Sequence, residues 1–328
     1  MNKKYSELAE LFRSEKTDEE ILDFLLNYHK NDIADMMAGM TEEERKRLYH
    51  LLGAQKVAEI FKYIEEPRKY IRELSVESAA RVISEMDSDD AVDLLEDLDP
   101  EEKEQIVRML DEDAKKDVKM LLSYDEEEIG SCMTTNYICI PENLTIRQAM
   151  SELVKQAGEN DNIMTIYVVD EKGVFAGAID LKDLIRAREN THLKDLVLKS
   201  YPYVTDHEKI DDCMDRILDY AEDSIPVLSE DKKILGVITS EDLIEMVDNE
   251  MGEDYAKLAG LTAEEDLKEP TLQSMKKRLP WLIILLFLGM GVSSVVGLFE
   301  NVVAVLPVVI CFQSLVLDMA GNVGTQSL

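Results

Sequence analysis

The chain is poor in cysteine, tryptophan and positive charge. Its four cysteines (Cys132, Cys139, Cys213, Cys311) form no C-x-x-C pair and no cluster with histidine. That excludes a disulfide framework and a zinc site of ordinary spacing, and it fits a reducing compartment. The 36 Lys+Arg stand against 69 Asp+Glu, a formal net charge of −33. So few clustered bases exclude nucleic acid as a partner, because phosphate binding needs them. The same balance predicts repulsion from anionic lipid over most of the surface, and affinity for cations. The N-terminus lacks an apolar h-region, so no cleavable signal peptide is expected. There is no P-loop, no nucleophile–base set and no cluster of metal-ligating histidines, so an enzyme is not expected. The carboxylates lie on helix starts, where capping explains them.

What is present is a 45% hydrophobic composition over 328 residues. That is enough for real cores, predicts two or three domains and excludes global disorder. Hydropathy is sharply divided. No apolar run before Arg278 approaches membrane length, and after it only Glu300 and Asp318 are charged.

The first segment is repetitive. Met36, Leu48 and Ile60 are twelve residues apart, as are Met40, Leu52 and Ile64. After a slip near Pro67 the step returns in Val82, Leu94, Ile106 and Val118, and in Met86, Leu98, Leu110 and Leu122. Acidic helix starts separate them, among them Asp87-Ser-Asp-Asp and Asp99-Pro-Glu-Glu, where Asp99 reads as an N-cap before a proline. Each unit is a short amphipathic helix that buries its apolar face only by stacking on neighbours, the logic of a helical solenoid. An ordinary bundle with accidental spacing is the alternative.

From about Ile129 strands alternate with helices, and a second repeat appears. The stretch from Tyr137 matches that from Tyr201 at an offset of 64, and Gly177-Ala-Ile-Asp-Leu-Lys-Asp matches Gly236-Val-Ile-Thr-Ser-Glu-Asp at an offset of 59. Each copy reads as strand, helix, buried strand, turn, strand and a helix begun by the final Asp. The pattern resembles a tandem pair of CBS domains, at 129–190 and 191–249. In that family the G-x-x-[ST]-x-x-D turn often holds an adenine nucleotide, which implies Gly236, Thr239 and Asp242 in the second copy and Asp183 in the first. A helix N-terminus attracts phosphate, and a carboxylate accepts from ribose hydroxyls. The first copy has Asp180 in the hydroxyl position, which is unfavourable beside phosphate. Helix capping is the competing reading of both Asp183 and Asp242.

Residues 250–278 read as an acidic connecting helix that bridges domains. Lys276-Lys-Arg before the apolar run places that end in the cytoplasm, with Trp281 as an interfacial anchor. Leu282 to Phe299 is about 18 residues, roughly 27 Å at 1.5 Å per residue, just enough to span. A second span runs from Val302 to Asp318. Beyond it Gly321, Asn322, Gly324, Thr325 and Gln326 offer carbonyl and amide oxygens suited to a hydrated hard cation such as Mg²⁺. The same residues also read as helix stop signals.

The whole order resembles the MgtE family of magnesium channels and transporters: an acidic helical domain (1–128), two CBS domains, a connecting helix and Lys/Arg-Leu-Pro-Trp before a span ending Gly-Leu-Phe-Glu. Ala320-Gly-Asn-Val-Gly-Thr-Gln-Ser adds to the likeness, with Ala320 where the family usually has Gly. The expected fold is therefore multidomain: an all-α helical superhelix, an α/β CBS pair, a connecting (plug-type) helix and an α-helical transmembrane segment at 279–328. The resemblance implies five membrane helices, of which two fall before Leu328, so a truncated membrane domain is expected.

It also implies a homodimer in the cell membrane with a cytoplasmic N-terminus, transporting Mg²⁺ and closing when Mg²⁺ bridges cytosolic carboxylates. The sensing positions it implies are Asp211, Asp242, Glu245, Glu250, Glu253 and Asp254, each otherwise a solvated surface charge. Gly321, Asn322, Gly324 and Gln326 are the implied pore lining, and ATP at the CBS pair through Asp183 the implied modulator. The rival reading is a membrane-tethered CBS module that binds nucleotide and regulates another protein.

Overall fold

The computed structural model describes residues 17–247, apart from 65, 126, 159 and 189–190, and the backbone of 271–298 with part of its side chains, besides isolated residues 312, 315 and 319. The chain divides into two compact units, Met1–Leu243 and Ile244–Leu328.

Among the described residues, the first unit begins with eight helices: α1 Asp18–Leu25, α2 Lys30–Met37, α3 Glu42–Phe61, α4 Pro67–Ile71, α5 Val76–Ser84, α6 Ser88–Glu96, α7 Pro100–Met109 and α8 Glu112–Leu121. The last four begin at 76, 88, 100 and 112, so the twelve-residue step of the sequence is the pitch of the array. Val82, Leu94, Ile106 and Val118 are all buried. Alternate helices pack together, α5 on α7 and α6 on α8, with α3 on α5. Every second helix thus completes the apolar face that one helix leaves open, as a solenoid requires.

The acidic residues between them start the helices. Thr17 and Thr41 form capping boxes with Glu20 and Glu44, Asp99 forms one with Glu102, and Asp111 accepts from the Ala114 N–H at 2.8 Å. Arg45 is buried against α4–α5: its guanidinium bonds Glu73 and the carbonyl oxygens of Met37 and Met40. Within α3, Gly53 (φ 77°, ψ 169°) leaves the helical region and kinks the rod.

Two repeats follow. In the first, β1 (Ile138–Pro141), α9 (Ile146–Gln156), β2 (Thr165–Val169), β3 (Phe175–Asp180) and α10 (Leu181–Arg186) form a three-stranded sheet of order β1-β2-β3. In the second, β4 (Val204–Thr205), α11 (Ile210–Tyr220), β5 (Ser224–Leu228) and β6 (Ile234–Thr239) repeat it, followed by a helix, α12, over 240–247. In each sheet the first pair is parallel and the second antiparallel.

The copies are interlocked. Thr134, leading into the first copy, bridges Val237 of the second, and Leu198, leading into the second, bridges Ala178 of the first. The matched glycines Gly177 and Gly236 explain themselves there. A Cβ on Gly177 would lie 2.5 Å from the Leu198 oxygen, and one on Gly236 2.7 Å from the Thr134 oxygen. Tyr167 closes the seam, its hydroxyl 2.6 Å from Ser224 Oγ.

In the second unit, α13 (Thr271–Leu298) runs 28 residues. Among the described residues, no helix is long and apolar enough to cross a membrane. The first span expected from sequence is therefore not established here. The second, with Gly321, Asn322, Gly324 and Gln326, lies outside the described residues save for the isolated positions 312, 315 and 319, as do Glu250, Glu253 and Asp254.

Candidate functional site

The helical array is fastened to the CBS-type pair by the first turn of α6. Ser88 Oγ accepts from the Thr135 N–H at 2.9 Å, Asp87 Oδ1 accepts from the Asn136 amide at 2.8 Å, and Asp117 of α8 accepts from the Thr135 hydroxyl at 2.8 Å. These bonds hold a run of acids, Asp87, Asp89 and Asp90, where the second copy presents Asp242.

Four carboxylates at close quarters need an explanation. Burial pushes the Asp89 carboxyl well above the usual carboxylate range, and the charges of Asp242, Asp90 and Asp87 push it further. Burial likewise raises Asp90 to about 7, reinforced by Asp87, Asp242 and Asp93 and opposed by Lys62. Asp242 is raised by burial, against hydrogen bonds from Thr239 and the charge of Lys62. Lys62, the C-cap of α3, is the counter-charge, 2.8 Å from Asp87 and 3.7 Å from Asp90. Burial works against its charge, but Asp87, Asp90 and Glu241 outweigh it and hold the ammonium protonated.

One cation against four carboxylates leaves the cluster short of positive charge, and Asp89 Oδ1 is buried with no hydrogen-bond partner. A buried carboxylate oxygen without a partner costs several kcal/mol unless it is protonated or meets a cation. Beside the cluster is a cleft of about 620 Å³ lined by Asp87, Asp111, Asp113, Asp117, Thr135 and Asn136, among others. The donors are all hard oxygens, the ligand type of Mg²⁺ and Ca²⁺. Among the described residues no group of three or more His, Cys, Asp or Glu is placed to hold a metal ion directly.

The residues singled out from sequence fall in different places. Asp242 is in the cluster. Asp211 stands in the first turn of α11 and Glu245 on α12, both exposed, and neither joins the four carboxylates. Asp87, Asp89 and Asp90 were read only as a helix start. The usable signal was an excess: three acids in one first turn exceed what a single cap needs.

The two nucleotide turns also differ. Asp242 accepts from the Thr239 N–H at 2.7 Å and its own N–H donates to Thr239 Oγ1, a reciprocal cap that engages both motif residues. Gly236 lies against Met133 and Thr134. In the first copy Asp180 caps α10 alone, accepting from the Lys182 N–H at 3.0 Å. Asp183 is then left exposed, with no hydrogen bond or ion pair among the described residues. The replacement of the hydroxyl residue by Asp180 thus frees the following carboxylate from capping.

An acidic helical array docked through carboxylates onto a pair of matching α/β repeats is the architecture of a CBS-pair protein with a helical N domain. Comparison with known proteins narrows this. Residues 28–127 match the family model of the MgtE intracellular N domain, and 127–190 and 193–249 match CBS domains. The magnesium transporter MgtE of Enterococcus faecalis is 39% identical over the full length of the chain, which covers 73% of that protein. MgtE of Thermus thermophilus is 31% identical over 62% of the chain and 46% of its own length. The soluble part of a magnesium transporter superposes with a TM-score of 0.72 at 30% identity, over 75% of this chain and 98% of that one. The cytosolic domain of the Mg²⁺ channel MgtE, solved with ATP, gives 0.66 at 26%, over 74% and 99%. The chain belongs to the MgtE family of magnesium transporters, and it spans between about half and three quarters of the length of these curated relatives.

Proposed function

We propose that the protein serves magnesium transport across the cell membrane, and that its acidic and CBS domains sense Mg²⁺ and close the pore. The observation that carries this reading is the meeting of Asp242 with Asp87, Asp89 and Asp90, with one carboxylate oxygen buried and unpartnered. At low Mg²⁺ the ionised carboxylates repel across the docking surface. A hydrated divalent ion held by Asp89, Asp90 and Asp242 supplies the missing positive charge and reverses the sign of that interaction. The domain partition proposed from sequence stands with it: sensor to 249, connecting helix at 250–278 and membrane segment from 279, with Asp211, Glu245, Glu250, Glu253 and Asp254 as further sensing positions. The uncharged run after Arg278 supports membrane insertion, with the N-terminus cytoplasmic and Gly321, Asn322, Gly324 and Gln326 in the ion path.

A homodimer is supported by exposed apolar side chains on the outer helices of the pair, Val154, Ile185 and Leu218. An adenine nucleotide is the second ligand, gripped at its ribose by Asp183 rather than by Asp242. The second-copy turn faces the acidic run, where phosphates would be repelled. Small-angle scattering against Mg²⁺ at fixed ionic strength, with Ca²⁺ alongside, tests the sensor. A saturable compaction that is stronger for Mg²⁺ is expected. No change beyond that of a monovalent salt would contradict it and favour the nucleotide-binding tether.

A further inference from the structure

In a chain of net charge −33, one cleft among the described residues is lined by bases with no acid among its lining. At the kink of α3 a cleft of about 420 Å³ opens between α3 and α5. Lys46, His50 and Arg81 line it, with the Ser78 hydroxyl, and no carboxylate does. Its other wall is apolar: Val57, Leu74 and Val82. Gly53 creates the opening. Its backbone leaves the helix, and a Cβ placed there would meet nothing within 4 Å.

The bases are not consumed by the fold. Among the described residues His50 has no hydrogen-bond or ion-pair partner. Arg81 makes two long contacts, to the Glu77 carbonyl at 3.4 Å and Ser78 Oγ at 3.3 Å, and its charge is felt by the exposed Glu77 carboxylate one turn away. Lys46 pairs only with Glu42 one turn away, an exposed contact that a better anion replaces at little cost. Two cations, an imidazole, a hydroxyl donor and the first turn of the helix resuming at Ala54 line the cleft. An apolar wall faces them, and the volume exceeds that of a bare oxyanion. Guanidinium and ammonium, with an imidazole N–H beside them, match a multiply charged phosphoryl group, the guanidinium forking onto two oxygens.

We propose that this cleft binds a small phosphorylated molecule, its phosphoryl group on Lys46, His50 and Arg81 and its body on the apolar wall. The site is separate from the carboxylate cluster and from the nucleotide turn at Asp183.

The test uses the full chain in divalent-free buffer, with phenyl phosphate as probe and calorimetry as readout. Saturable binding at a single site is expected. It should weaken at least tenfold in His50→Gln/Arg81→Gln and be untouched by Asp183→Asn. Both bases are exposed, so the variants should keep the thermal unfolding of the parent. Inorganic phosphate binding as tightly as phenyl phosphate would support the phosphoryl head alone as ligand, and weaker binding would support a role for the wall. Absence of saturable binding, binding undiminished in the double variant, or benzyl alcohol binding as well as phenyl phosphate would overturn the proposal.

Discussion

Replacing Asp90 by Asn keeps the shape of the side chain and removes a charge that the folded protein resists. Its carboxyl rises from 3.8 to about 7, chiefly through burial, and the side chain is 27% exposed. A shift of about three units corresponds to about 4 kcal/mol held against the ionised form. Leaving an amide only partly satisfied in its place returns about 1–3 kcal/mol of that. The variant should therefore be more stable than the parent at pH 8, without divalent cations, by about 1–3 kcal/mol, or about 2–10 °C in Tm for domains of this size. The pH dependence gives the sharper signature. The folded pKa lies above the unfolded one, so between about pH 4 and pH 7 the folded form holds more protons, and stability falls as pH rises through that window. Below about pH 4 the carboxyl is protonated in both states and the parent carries no such penalty; above about pH 7 the penalty is complete. Thermal unfolding of parent and variant from pH 5 to pH 8 in a chelator should show the two converging at the acid end. Parallel profiles, or a variant less stable than the parent at pH 8, would refute the reasoning.

Lys62→Ala removes the one cation that faces the carboxylate run among the described residues, so Mg²⁺ should raise the Tm of this variant more than that of the parent; an equal rise would count against its role as counter-charge. Arg45→Met leaves Glu73 buried without its partner and should cost about 3–5 kcal/mol in urea unfolding, while Arg45→Met/Glu73→Leu should recover most of it; a single-variant loss below about 1 kcal/mol would refute this. Gly177→Ala forces a Cβ to 2.5 Å from the Leu198 carbonyl oxygen at a φ of 142° and should lower the stability of the CBS pair by about 2 kcal/mol or more. Unchanged unfolding would show that the lead-in segment can shift without penalty.

Much of the architecture was legible because it is periodic. The acidic starts at twelve-residue steps mark the helices that begin at 88, 100 and 112, and the same step is found again at 76. The slip near Pro67 marks the short α4, where proline takes the first helical position. The offset between the two copies paired Gly177 with Gly236, and both turn out to admit a neighbouring backbone. The carboxylate cluster was harder to see. The family resemblance grouped Asp242 with Asp211, Glu245, Glu250, Glu253 and Asp254, and it did not point to the acids of the helical array. The neighbours of Asp242 come from α6, brought there by Ser88 and Asp87 binding Thr135 and Asn136, contacts between residues nearly fifty positions apart that no pattern announces. Gly53 was passed over because one glycine in an amphipathic run is tolerated in a helix as often as it breaks one. Asp242 sits in a reciprocal cap with Thr239, whereas Asp180 takes the cap that Asp183 would otherwise fill, and neither arrangement is visible in the motif itself.

The central claim is that Mg²⁺ acts at the meeting of α6 with the second CBS domain. Amide hydrogen exchange over residues 88–96 of the full chain tests it most directly, with Mg²⁺ titrated at constant ionic strength in the parent and in Asp89→Asn/Asp242→Asn. The parent should gain protection saturably. The double variant should be protected already and gain little. Equal gains in both proteins, or the same gain from a monovalent salt, would contradict the account.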